Sequence, residues 1–178
     1  MKTIALILAM IAVGHMACQV TINEFVASNS LGAEDSEFSN NADWVEFYNA
    51  GIDEVNLSSW YLTDNLSDST KWSFPVESTI APGGFLLVWC DGEDTGLHTS
   101  FKLSRTGEEL GLYTPDLILQ DSRVFGEQNT DVSRGRNQDG INGPALRSPH
   151  VRPLQAHAAF GAIGILAHQP PIWWHVEA

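Results

Sequence analysis

The sequence predicts an all-β domain, a sandwich or a barrel, that gives way to an irregular C-terminal tail. Three observations carry this. From Val20 to Arg136 apolar residues recur at period two in short runs, turn residues break those runs every eight to twelve positions, and helical periodicity never lasts beyond about two turns. After Gly140 the composition changes abruptly.

The first strand is read in "VTINEFVA", where Ile22, Glu24 and Val26 alternate with Asn23 and Phe25. In "DWVEFYN", Val45 and Phe47 form the apolar face and Trp44, Glu46 and Tyr48 the opposite one. "WYLTD" sends Trp60 and Leu62 inward and Tyr61 outward, and "KWSFP" is stopped by Pro75. Pro82-Gly83-Gly84 supplies the reversal before "FLLVWC". Because Leu86, Leu87, Val88 and Trp89 are apolar on both faces, that strand is expected to be central. "EELGLYT", "LILQDSRVF" and "DVSRGR" complete the set. Between Ala27 and Asp43 lies an insert rich in Ser, Asn, Glu and Asp, read as a surface loop because its few apolar residues cannot fill a core.

The chain of 178 residues suits one domain flanked by two different segments. Residues 1–18 have the pattern of a secretory signal: a positive start at Lys2, the apolar run Ile4 to Val13, then small residues. The run is about half of what a membrane span needs, so no transmembrane helix is expected and the protein reads as exported, secreted or held at the cell surface. Cleavage fits after Ala12-Val13-Gly14 or near Ala17 and Cys18. A lipoprotein reading would acylate Cys18, although His15-Met16-Ala17 departs from the usual Leu-small-small approach. If Cys18 leaves with the signal, Cys90 has no partner for an internal disulfide, and the core must hold the domain.

Charge is concentrated in the middle. Val20 to Gly140 holds 21 acidic and six basic residues, a balance of −15. Such a surface repels phosphates and argues against nucleic-acid binding. Residues 141–178 contain one acid, Glu177, four of the six histidines and Trp173-Trp174. This atypical segment reads as poorly ordered, and the sudden loss of acids is also what a change of reading frame would produce. Its "AAFGAIGILA" is too short to span a membrane.

Seven segments in order, "INEFVASNS", "DWVEFYNAG", "VNLSSWYLTD", "KWSFP", "IAPGGFLLVWCDG", "FKLSRTGEELGLY" and "DVSRGRNQDG", cover nearly all of Ile22 to Gly140. Together they resemble the lamin tail domain, in its exported bacterial form. The resemblance implies an immunoglobulin-like β-sandwich with Val45, Phe47, Leu57, Trp60, Leu62, Phe74, Ile80, Leu86, Val88, Phe101, Leu103, Leu110 and Leu112 in the core. It also implies a non-catalytic interaction module without catalytic residues or cofactor. The protein and chromatin partners of eukaryotic relatives are not carried over to an acidic, exported copy. Beyond Gly140 the aromatic and Thr-Pro-Gly-rich close of the family is missing.

Candidate sites follow from side-chain chemistry. In "VWCDGEDTG", Cys90 reads as the buried end of a strand and the acids after it as a turn, since a reactive thiol needs positive neighbours. The alternative for Asp91, Glu93 and Asp94 is a calcium site, with Asp64 and Asp68 of "TDNLSDST" as a second set of hard oxygen ligands, though an EF-hand spacing is absent. Trp44, Glu46 and Tyr48 form a candidate binding surface for a protein or polysaccharide, against the alternative of ordinary cross-strand packing. His150, His157, His168 and His175 lack the close spacing of zinc pairs, and His98, the one histidine in the sandwich, has no accompanying nucleophile elbow. An exported, non-catalytic interaction module is the leading expectation. The alternatives are a hydrolase using paired carboxylates and a truncated or frame-shifted fragment of a larger secreted protein.

Overall fold

The computed structural model describes residues 19–136, 138–140 and the backbone of 146–147. The segments read as a signal, the candidate lipidation site and most of the tail with its histidines lie outside the described residues. Among the described residues there is no helix, and therefore none long and apolar enough to cross a membrane.

Eleven strands follow one another: β1 (Val20–Val26), β2 (Asp43–Asn49), β3 (Val55–Asn56), β4 (Tyr61–Thr63), β5 (Trp72–Ser73), β6 (Thr79–Ile80), β7 (Phe85–Cys90), β8 (Gly107–Tyr113), β9 (Leu119–Gly126), β10 (Arg134–Gly135) and β11 (Leu146–Arg147). They form a five-stranded sheet, β11-β10-β1-β2-β7, a four-stranded sheet, β5-β4-β8-β9, and a small β3-β6 pair. Every strand pair is antiparallel. This is the immunoglobulin-like sandwich. β11 draws two residues of the segment read as an irregular tail into the larger sheet.

One core lies between the sheets. Val20, Ile22, Val45, Phe47 and Val88 from the larger sheet meet Leu62, Leu110 and Leu112 from the smaller one, all fully buried. Phe47 stacks edge-on against Phe74 with centroids 5.3 Å apart, and Phe25 meets Phe125 at 4.5 Å. Of the thirteen expected core residues eleven are buried, while Trp60 and Leu86 pack against the core half-buried.

Two expectations are corrected. The strict alternation in β1 fails because a bulge interrupts its register with β2 between Ile22 and Glu24. The extra residue flips the faces, so Phe25 and Ala27 join Val20 and Ile22 in the core, whereas Glu24 does not. β7 is the last strand of its sheet rather than a central one. Its free flank is covered by the following chain, through a parallel bridge Trp89–His98 and an antiparallel bridge Asp91–Lys102. Apolarity on both faces has a different cause, the aromatic outer surface described next.

Candidate functional site

β2 and β7 run side by side in a register that sets Trp44 against Trp89, Glu46 against Leu87 and Tyr48 against Phe85. Val45, Phe47, Val88 and Cys90 point into the core, so alternation turns these six residues to the outer face, where all are half-buried. Tyr48 and Phe85 lie with ring centroids 4.8 Å apart. The predicted trio Trp44, Glu46 and Tyr48 thus shares one surface. Sequence reasoning missed the contribution of β7 because cross-strand register is not visible in either strand alone.

One edge of this face is tied down. Glu46 Oε1 accepts from Asn23 Nδ2 at 2.9 Å, and the same amide donates to Asp139 Oδ1 at 3.2 Å. Gly140 has φ +71° and donates its N–H to Asn23 Oδ1; a Cβ there would come within 2.9 Å of the Tyr48 ring. Asp139 and Gly140 thus lie over the Tyr48 end of the face.

The five calcium candidates are not gathered into one group. Asp64 pairs with Lys71 Nζ at 2.5 Å, and Asp68 is exposed and accepts from the backbone of Thr70. Glu93 and Asp94 are exposed in the turn after β7. Asp91 begins the turn and, unlike Glu93 and Asp94, is buried. It is 7 % exposed, its Oδ1 accepts from Glu93 N, and its Oδ2 lies 2.7 Å from His98 Nδ1.

His98 is 2 % exposed and is surrounded by acids. Besides Asp91, Asp35 Oδ2 lies 3.9 Å from Nδ1 and Glu37 Oε2 lies 3.4 Å from Nε2. Phe38 meets the imidazole edge-on at 4.9 Å. Asp35, Glu37 and Phe38 come from the insert between β1 and β2, a mostly exposed loop from which Asp35 turns inward. The insert is built onto the domain by local polar bonds: Asn29 Nδ2 donates to Ala33 O and Ala42 O, Asp35 bridges Asn40, and Asp131 Oδ1 receives the N–H groups of Ser30 and Leu31. Those two N–H groups, Leu31 foremost, hold the Asp131 carboxyl below its usual range. His98 and Asp35 sit 63 positions apart, so no local motif announces the pair.

A second acidic group lies near Cys90. Burial raises Asp43 from 3.8 to about 6, against the opposing hydrogen bond from Asn29 N and the charge of Lys102. Burial likewise raises Glu108 from 4.5 to about 7, opposed by the N–H of Ser104 and reinforced by the charges of Asp64 and Asp43. Cys90 is 1 % exposed, and burial first, then the acids Asp43, Glu108 and Asp91, drive its thiol well above the ordinary range against a hydrogen bond with Thr99. A thiol so placed stays protonated and is a poor nucleophile.

The sequence blocks that build these strands match a known family. No curated protein matches the chain at a significant level. Residues 15–127, more than half of the chain and spanning β1 to β9, match the family described as Lamin Tail Domain. With an immunoglobulin-like sandwich assembled from that stretch, the chain belongs to the lamin tail domain family.

Proposed function

We propose that this lamin tail domain is exported and works as a non-catalytic interaction module outside the cell or at its surface, with the outer β2/β7 face as its binding surface. The observation that carries this is the cross-strand pairing of Trp44 with Trp89 beside Glu46 and Leu87, an aromatic surface on a rigid sheet. Flat rings bordered by the Glu46 carboxylate match the apolar faces and hydroxyls of sugar rings, which favours a polysaccharide over a protein as the partner. The signal-like N-terminus and the acidic surface support work outside the cell, away from nucleic acids.

Electrophoresis of the full chain through gels containing soluble polysaccharides tests the reading. Retardation by at least one polysaccharide is expected, with loss in Trp44→Ala and Trp89→Ala and retention of the unfolding midpoint. Absence of retardation, or retardation that both variants preserve, overturns it.

A hydrolase with paired carboxylates is the second reading, and one observation favours it: Asp43 and Glu108 are both raised toward neutrality, as acid–base groups are. Release of reducing sugar from the same polysaccharides, abolished in Glu108→Gln, would establish it; a full rate in that variant would remove it.

A further inference from the structure

We infer that Asp35, Asp91 and His98 form a binding site for a divalent transition ion of the zinc class, which fastens the insert between β1 and β2 to the end of β7. One ligand atom from each residue lies within 4.8 Å of the others, and all three residues are buried. Carboxylates on their own occur widely on surfaces without binding anything. Here an imidazole stands among them, and a separate observation points to a ligand.

That observation is Asp35 Oδ2, a buried atom of a residue only 2 % exposed, which has no hydrogen-bond partner. Its sister oxygen accepts from Glu37 N at 2.9 Å. A buried carboxylate oxygen without a donor carries a desolvation cost of about 1–3 kcal/mol or more. His98 does not relieve it, because its Nδ1 lies 2.7 Å from Asp91 Oδ2 while Asp35 Oδ2 stands at 3.9 Å, beyond hydrogen-bond reach. A proton serves one acceptor well, whereas a metal ion serves several at once. Ligand atoms about a tetrahedral ion with bonds of about 2.0 Å are separated by about 3.3 Å. The two observed distances bracket that value, and the third, between the two carboxylates, is within 4.8 Å.

The surroundings fit the same reading. Glu37 Oε2 faces the other ring nitrogen at 3.4 Å, the carboxylate–histidine arrangement that orients an imidazole whose second nitrogen binds a metal. Phe38 closes one side of the ring. One nitrogen and two carboxylate oxygens suit zinc and its neighbours better than calcium or magnesium, which prefer oxygen alone.

The test uses the full chain carrying His150→Ala, His157→Ala, His168→Ala and His175→Ala, so that zinc cannot be held by the tail, after removal of metal with a chelator. Zinc chloride at a hundredfold excess over Kd is expected to raise the unfolding midpoint by roughly 5–10 °C, with one ion bound per chain and no comparable rise with calcium chloride. Asp35→Asn is expected to unfold near the metal-free midpoint and to lose the zinc response. A second readout leaves the site unaltered: in protein labelled with ¹⁵N-histidine, zinc should move the Nδ1 resonance of His98 while Nε2 stays protonated. No midpoint change with zinc, an equal change in Asp35→Asn, an equal response to calcium, or an unmoved His98 resonance would each overturn the site.

Discussion

Arg136 Nη2 donates to Asp121 Oδ2 at 2.6 Å, an ion pair between the end of β10 and a strand of the opposite sheet. The same Asp121 oxygen receives Ile22 N at 2.8 Å, and Arg136 Nε donates to Ile22 O at 3.1 Å. The pair therefore supplies the backbone partners that β1 loses at its bulge, and joins the two sheets where ladder bonds cannot. Arg123 adds a further donor to Ile22 O at 3.3 Å.

Removing one side of that pair strands the other. The Arg136 side chain is 1 % exposed and that of Asp121 10 %, so Arg136→Met should cost about 3 kcal/mol in urea unfolding. Asp121→Asn combined with Arg136→Met should cost less than the two single changes added together. Additive losses would show that the two residues act separately.

Stability should fall as pH rises through the weakly acid range. Glu108 and Asp43 have folded pKa values above their unfolded ones, so the folded protein binds more protons over the intervals 4.5 to about 7 and 3.8 to about 6. Their contribution is fully present below those lower limits and is lost on the way up. Asp131 works in the opposite sense, its contribution being present above 3.8 and lost as acid takes it through its lowered folded value. The unfolding midpoint should therefore be higher at pH 5 than at pH 7.5, and Glu108→Gln should flatten the difference. A midpoint that climbs from pH 5 to pH 7.5 would contradict the assignment.

Gly107 opens β8 at φ +111°, opposite Gly126. A Cβ there would lie 2.6 Å from Phe125 O and 2.7 Å from the Gly126 Cα, both backbone atoms that cannot swing away. Gly107→Ala should cost about 2 kcal/mol or more, seen as a lower denaturation midpoint with an unchanged m-value.

Asn49 is fully buried at the end of β2, where its Nδ2 reaches Asp53 O at 2.8 Å and Ile80 O at 2.9 Å and its Oδ1 accepts from Gly51 N at 2.8 Å. Alanine would remove all three bonds at once, leaving Asp53 O its other donor, Gln19 Nε2 at 3.1 Å. Asn49→Ala should destabilise by about 2–3 kcal/mol and speed hydrogen exchange at Gly51.

The fold was legible in the sequence because the physical signals are local. Period-two alternation in β2, Pro75 after β5 and the Pro82-Gly83-Gly84 reversal act within a few residues, and they separate an inward from an outward face without knowledge of neighbours. The same locality placed Trp44, Glu46 and Tyr48 on one surface. Only tertiary structure decided what stands beside them. Trp89 meets Trp44 through inter-strand register, Phe25 turns inward through one bulged residue, and Asp35 is buried against His98 because an insert folds back over the end of β7. A polar loop and a lone histidine carry no periodic signal, and their meeting rests on chain closure over 63 positions, a relation that side-chain sequence leaves open and packing fixes.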